Sequence, residues 1–570
     1  MKNLIYIFLS VLGLSLMYSC DDVTNFLDKA PGVDVTEDTI FSSKNQVETF
    51  VATTYYYGVM SDLANWDTRD KSDCMTAAAT DECEIFYSWY WVQAAWNNAG
   101  MSATNTGDRR FFTYWKAIRC ANTLIERIDT APFDDPVYKK QVMGEAMFIR
   151  ALNNFELFRK YGGVPIVKKR FAPADDLNVP RSSVKDVVEF IVEDCNEAIN
   201  NLPAADQYPT SLRGRATRAA AMALKSRTLL YAASKTFNTE KPYLDLGKNN
   251  SLICYGNYDA NRWKLAVDAA LELLNEAKQS GIKLVTDQGI TKNYQYAWEV
   301  NDNSEIILAE KSKWAMAIWH FPWSPFSPNG AGYWVTYNFT KLYERKDGTK
   351  QPWNDNGGTD LMDIYANMDP RFKQTITYQW QRFNDDYPEL DLSVNGKNRP
   401  NGGGCEGPLS HKPLPYSVKA TGPVTAFPNG VIFRLPEAYL NYAEALNEFH
   451  QTPPEEAYSA LDSIRLRSGM PKIPRGLSQD EFRKKVRNER AIELAFEGHR
   501  LYDIRRWEIA DEGIMKGKMY GIHIYTSPGT KNCSYMPYVF EVRSFNLAMY
   551  RYPFPQNEID KGYLIQNPGY

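Results

Sequence analysis

The sequence predicts a mainly α-helical protein: a tetratricopeptide-like scaffold of helical repeats carrying a loop-rich, aromatic ligand-binding layer. Three observations carry that prediction. Apolar residues at helical spacing fill the first half and return near residue 436. The helices come in pairs, which is the habit of helical repeats, although no regular 34-residue self-similarity is present. Between about 281 and 434 the periodicity gives way to Gly, Pro, Asn, Asp and aromatic residues. The 570 residues are 44% hydrophobic and 24% charged, as in an ordered globular protein. The formal charge of −4 supplies no basic excess for nucleic acid.

The chain opens MKNLIYIFLSVLGLSLMYSC: one Lys2, an apolar run from Leu4 to Met17, then small Ser19 before Cys20. This reads as a signal peptide over residues 1–19, too short and too lightly flanked for a membrane span. Leu16-Met17-Tyr18-Ser19-Cys20 has the form of a bacterial lipobox, which predicts lipidation of Cys20; the alternative is a secretory signal with an unrelated cysteine. Residues 20–35, beginning Asp21-Asp22, read as a tether. Residues 36–570 read as one domain, with helical scaffold over about 36–280 and 435–510, a loop-rich layer over about 281–434 and an extended tail over about 511–570. The seven cysteines after Cys20 are odd in number and lack C-x-x-C spacing, which argues against a zinc site. Cys74 and Cys83 are spaced for a loop disulfide.

Residues 109–129 place Phe111, Trp115, Ile118, Leu124, Ile125 and Ile128 at helical spacing. Residues 137–161 are apolar on most sides, so that helix is expected to touch several neighbours, and Gly162-Gly163 ends it. Residues 183–201 and 216–235 form a further pair, the second with an alanine stripe that lets backbones approach. Helices also fit 261–279, 436–449 and 455–468, the last two turning at Thr452-Pro453-Pro454. Ile306-Ile307-Leu308 reads as a short strand.

Ser478 and Glu481 form a capping box for a helix starting near Gln479. On it, Glu489 and Glu493 stand in line with Phe482, Val486 and Phe496. Paired carboxylates are what glycoside hydrolysis uses. The competing reading is ionic pairing, since Arg483, Arg487, Arg490, Arg500, Arg505 and Arg506 crowd the same stretch. The five histidines form no H-E-x-x-H or i,i+4 pair, and G-x-S-x-G and Walker-type loops are absent. Aromatics cluster instead. Tyr87, Trp89, Tyr90, Trp91 and Trp96 precede Asn97-Asn98, and Tyr296, Trp298, Trp314, Trp319, Trp323 and Trp334 occupy the middle. Flat rings fit the C–H faces of pyranoses and amides suit their hydroxyls; the competing reading is that the rings fill the core.

Four segments together resemble the SusD/RagB family of Bacteroidetes outer-membrane lipoproteins. They are the lipobox Cys20 followed by Phe26-Leu27-Asp28-Lys29 and Phe41-Ser42-Ser43; Gly144-Glu145-Ala146 through Tyr161-Gly162-Gly163-Val164-Pro165; Arg434-Leu435-Pro436-Glu437-Ala438-Tyr439 through Arg487-Asn488-Glu489-Arg490 to Arg505-Arg506-Trp507; and Tyr552-Pro553-Phe554-Pro555 through Gln566-Asn567-Pro568-Gly569-Tyr570. The resemblance implies a surface glycan-binding lipoprotein of the outer membrane without catalytic activity, seated on a TonB-dependent (SusC-like) transporter. It implies ligand-binding residues in two regions, Trp91, Trp96, Asn97 and Asn98 in the first, and Tyr296, Trp319 and Trp323 in the second. It implies no cofactor; a structural Ca²⁺ has no signal in the sequence, and some family members are expected to take peptides.

Overall fold

The computed structural model describes residues 37–61, 76–85, 93–172, 174–310, 333–399, 406–412, 414–417, 429–527 and 529–570. Helices α1 (Lys44–Gly58), α2 (Phe111–Arg127), α3 (Pro136–Tyr161), α4 (Val184–Asn201), α5 (Arg218–Ala233) and α6 (Asn261–Gln279) pack each on the next, so the chain builds a stack of helical pairs. After α7 (Asn293–Glu299) and the irregular middle, α8 (Leu435–Phe449) docks on α6. The stack resumes where it stopped, with α9 (Glu455–Arg467), α10 (Gln479–Glu493) and α11 (Arg500–Arg506) following.

Local chemistry sets these boundaries. Ser183 and Thr217 accept hydrogen bonds from the third residue of α4 and α5. Asp135 caps α3 ahead of Pro136, whose missing N–H is no loss in a first turn. Both halves of the Ser478–Glu481 capping box form on α10. Gly162 ends α3 at φ +83°, and a Cβ on Gly163 would sit 2.1 Å from the Ser182 carbonyl, so this corner admits only glycine. Buried on most faces as the sequence predicts, α3 packs against α1, α2, α4 and α5. The alanines of α5 are almost wholly buried and let it run close to its neighbours.

Helix α1, within the stretch predicted as helical scaffold, is fixed by the Ser43 cap and by burial of Val47, Val51 and Thr54. One element departs from the sequence reading. The tail predicted as extended instead carries a long antiparallel hairpin, β7 (Gly517–Thr526) with β8 (Cys533–Arg543). The other strands are short: β1 (Cys83–Ile85), β3 (Tyr333–Val335), β4 (Ile376–Thr377) and β5 (Leu409–Ser410) in a sheet of order β1-β3-β5-β4, and β2 (Ile306–Glu310) paired with β6 (Gly430–Arg434).

Scaffold and loop layer meet across buried ion pairs. Arg434, on β6, donates to Glu493 at 2.6 Å and to Glu497 at 2.8 Å. Arg371 reaches Glu489 at 2.5 Å and Glu493 at 3.1 Å, and Arg467 bonds Glu305 at 2.6 Å and also Glu493. All of these side chains are buried. Removing one charge leaves its partners stranded in a dry interior, so Glu493→Gln is expected to destabilise the fold by about 3–5 kcal/mol in urea denaturation.

Candidate functional site

Where the irregular segments leave the described structure, two fixed points stand out. At the first, the Ser61 amide and hydroxyl both donate to the Glu310 carboxylate, at 2.7 and 2.8 Å, and Arg110 donates to the Ser61 carbonyl at 2.7 Å. Glu310 pairs with Gly430 across β2 and β6. A Cβ on Gly430 would meet the Ser61 hydroxyl at 2.6 Å, so the three chains close on one another only because residue 430 is glycine. Residues 62–75, 311–332 and 418–428 all adjoin this knot. The Asn429 amide donates to the Trp298 and Val300 carbonyls, which ties α7, and Tyr296 on it, to the same point.

The second fixed point is the end of β1 and the start of β3, where Ile85 pairs with Tyr333. Residues 86–92 and 311–332 adjoin it. Behind it, Arg543 of β8 bonds Glu84 at 2.6 Å and Glu541 at 2.7 Å. The Asn97 amide donates to the Ala78 carbonyl at 3.3 Å and faces Glu84 and Glu541 at 3.5 and 3.4 Å. Residues 311–332 therefore connect the knot beside Tyr296 to the knot beside Asn97. Residues 86–92 and 311–332, which carry Trp91, Trp319 and Trp323, thus leave the described structure at these points, the rim.

Individual residues fare differently. Asn98 is exposed, and its backbone bridges to Ser544. Tyr296 is half-buried. Trp96 is a correction: it is 2% exposed, lies edge-on to Tyr552 with ring centres 5.1 Å apart, and has the Arg505 guanidinium over it. Asn97, 1% exposed, likewise turns its side-chain N–H groups to internal acceptors. Both hold the rim and neither presents a free face to a ligand. Trp91, Trp319, Trp323 and Cys20 lie outside the described residues, as does Cys74, the proposed disulfide partner of buried Cys83. Among the described residues no group of three or more His, Cys, Asp or Glu is placed to hold a metal ion, and no helix is long and apolar enough to cross a membrane.

The sequence matches the family described as the SusD family over residues 289–570, and the one described as starch-binding associating with outer membrane over residues 25–230. The chain belongs to the SusD family. The SusD-like protein P38 of Formosa agariphila is 23% identical over 491 residues, 80% of this chain and 86% of that protein. A crystallised SusD-like protein from Bacteroides fragilis superposes with a TM-score of 0.77 at 27% identity, covering 95% of this chain and all of that one. A laminarin-binding SusD-like protein superposes at 0.59 with 20% identity, over 93% of this chain and all of that one.

Within this SusD-family fold, Glu489 and Glu493 are the wrong carboxylates for hydrolysis. Burial would raise both, but Arg371 and Arg465 hold Glu489 below the ordinary range, and Arg467, Arg434 and Arg371 hold Glu493 far below it. Neither can carry a proton near neutrality, and neither reaches solvent. Their partners come from β6, α9 and the helix Pro370–Thr375. The arginines beside them in sequence are engaged elsewhere: Arg490 with Asp503 and Arg500 with Asp81.

The rim carboxylates behave oppositely. Burial pushes Glu84 up to about 8, opposed by Arg543 and reinforced by Glu541, and burial pushes Glu82 up to about 7. No local pattern marks these residues, because their partners lie on β8 and in the turn after α10.

Two outcomes follow. Between the ordinary carboxylate range and about 8, folded Glu84 keeps a proton that the unfolded chain has released, so stability falls as pH rises through that window. Buried His411, pushed down to about 3, acts in the other direction only below about pH 6.5, and Lys412, pushed down to about 8, only above that value. The melting temperature is therefore expected to fall between pH 6.5 and 8, and to fall less in Glu84→Gln. Trp96→Ala is expected to lose about 3–5 kcal/mol of stability, as for a large buried ring, read by chemical denaturation.

Proposed function

We propose that this chain is a glycan-binding lipoprotein of the cell surface, anchored in the outer membrane through Cys20, which captures oligosaccharide and passes it to a TonB-dependent transporter without cleaving it. The observation that carries the reading is the clustering of aromatic residues in 86–92 and 311–332, segments whose ends join the described structure at the rim. On it Trp91, Trp319 and Trp323 are the proposed stacking residues, with Tyr296 and Asn98 beside them; Trp96 and Asn97 serve as supports. The family's description as starch-binding and outer-membrane-associated supports this reading, as does a laminarin-binding relative. Stacking suits such a site because rigid rings offer area at small entropic expense.

The test is a panel of soluble polysaccharides, including starch and laminarin, run by affinity gel and calorimetry on the chain beginning after Cys20. Binding to one glycan class without new reducing ends is the expected result. Trp319→Ala or Trp323→Ala should then weaken it about tenfold or more, the usual loss for an aromatic anchor. Release of product would overturn the non-catalytic reading. Failure of every glycan, with a folded protein, would overturn glycan capture and leave a peptide ligand as the alternative.

A further inference from the structure

Away from the rim, an open apolar groove of about 300 Å³ runs along α2. Phe112 and Trp115 form one wall, Leu177 and Val179 of the strap after α3 form the other, and Phe554 of the C-terminal tail lines it as well. Phe112 is 48% exposed and Leu177 64%. Large apolar side chains standing open beside one another usually await a partner. The charged side chains around the groove are Arg119, Lys169, Arg170 and Glu558; Lys169 lies 3.6 Å from Asp175 and Glu558 pairs with Lys561.

The N-terminal end of the described chain is fastened at the edge of this groove. Arg170 ion-pairs with Glu37 and bonds Glu126 at 2.6 Å, while Arg127 holds Asp38 at 2.7 Å. The residues before Glu37 therefore begin beside a side chain that lines the groove. They include Phe26 and Leu27, the largest apolar pair between residues 21 and 36, and Asp21, Asp22, Asp28 and Asp34 against a single Lys29. Glu37 lies ten positions after Leu27, a reach of about 33 Å when extended, ample to enter the groove. The family match starts at residue 25, so the stretch beginning there belongs to the recurring domain.

We propose that residues 25–33 occupy this groove, with Phe26 and Leu27 against Phe112, Trp115 and Leu177 and Asp28 toward Arg119. The sequence reading of 20–35 as a free tether is then replaced by a short leash and a docked segment. If Cys20 carries lipid, only residues 21–24 span from the anchor to the body, about 15 Å instead of about 50 Å. That consequence rests on the lipoprotein reading; the docking itself does not.

The test uses the soluble chain beginning at Asp21 and follows tryptic cleavage of the Lys29–Ala30 bond by mass spectrometry. Docking predicts cleavage at least about tenfold faster in Phe112→Glu/Leu177→Glu than in the unaltered chain, because a docked segment must first open. Phe26→Asp/Leu27→Asp, which leaves the body untouched, should show the same acceleration and faster amide exchange over residues 111–119. Equal cleavage rates in all three proteins would overturn the proposal. So would a dimer in sedimentation that Phe112→Glu dissolves with the Lys29 rate unchanged, which assigns the groove to a second copy. A glycan that slows exchange over 111–119 while Lys29 stays fully accessible would likewise overturn it.

Discussion

The fold depends on a buried exchange of charge between arginines and glutamates that are far apart in sequence. Glu493 alone receives Arg371, Arg434 and Arg467, from the loop layer, β6 and α9. A second knot joins Arg506 to Glu444 and Asp503, with Trp507 donating to Glu444 at 2.7 Å. Such pairs add little net stability over well-packed hydrocarbon, since taking the ions out of water costs nearly what their attraction returns. Their effect is on uniqueness. Any arrangement that moves the loop layer relative to the helices strands several charges in a dry interior at once, and each is expensive to strand.

That constraint bears directly on the site. Arg434 closes β6, and β6 begins at Gly430, where residues 311–332 and 418–428 adjoin the knot of Ser61 and Glu310. The charge network thus holds the points at which residues 311–332 and 418–428 leave the described structure. A TM-score of 0.77 at only 27% identity shows that this fold is kept while most of the sequence differs.

What could be read from sequence was what is encoded locally. The Ser478–Glu481 box, the span Asn261–Gln279 and the short strand at Ile306 each depend on neighbours within a few residues, and each forms where the pattern places it. The hairpin β7–β8 escaped because Pro537 interrupts one strand and Gly521 the other, so neither shows a clean alternation. Trp96 escaped for a different reason. A tryptophan between polar residues reads equally well as a ligand platform or as core, and the choice here is made by Tyr552 and Arg505, which local sequence does not place beside it. The arginine partners of Glu489 and Glu493 were mis-assigned on the same ground: successive helical residues point about 100° apart, so Arg490 faces Asp503 and not the partners of Glu489.

Glu493 and Glu84, both buried, differ in how many guanidinium groups serve each. Glu493 has three arginines to itself and its neighbours, whereas Glu84 and Glu541 share Arg543. With one cation between two acids, burial prevails at Glu84, and a proton is the cheapest neutralising partner available. Burial also pushes Glu82 and, in helix α3, Glu145 up to about 7. A change in pH across neutrality therefore leaves Glu489 and Glu493 charged, with the pairs that lock α10 to the loop layer intact, and alters charge at Glu84 beside Asn97, at Glu82 and at Glu145.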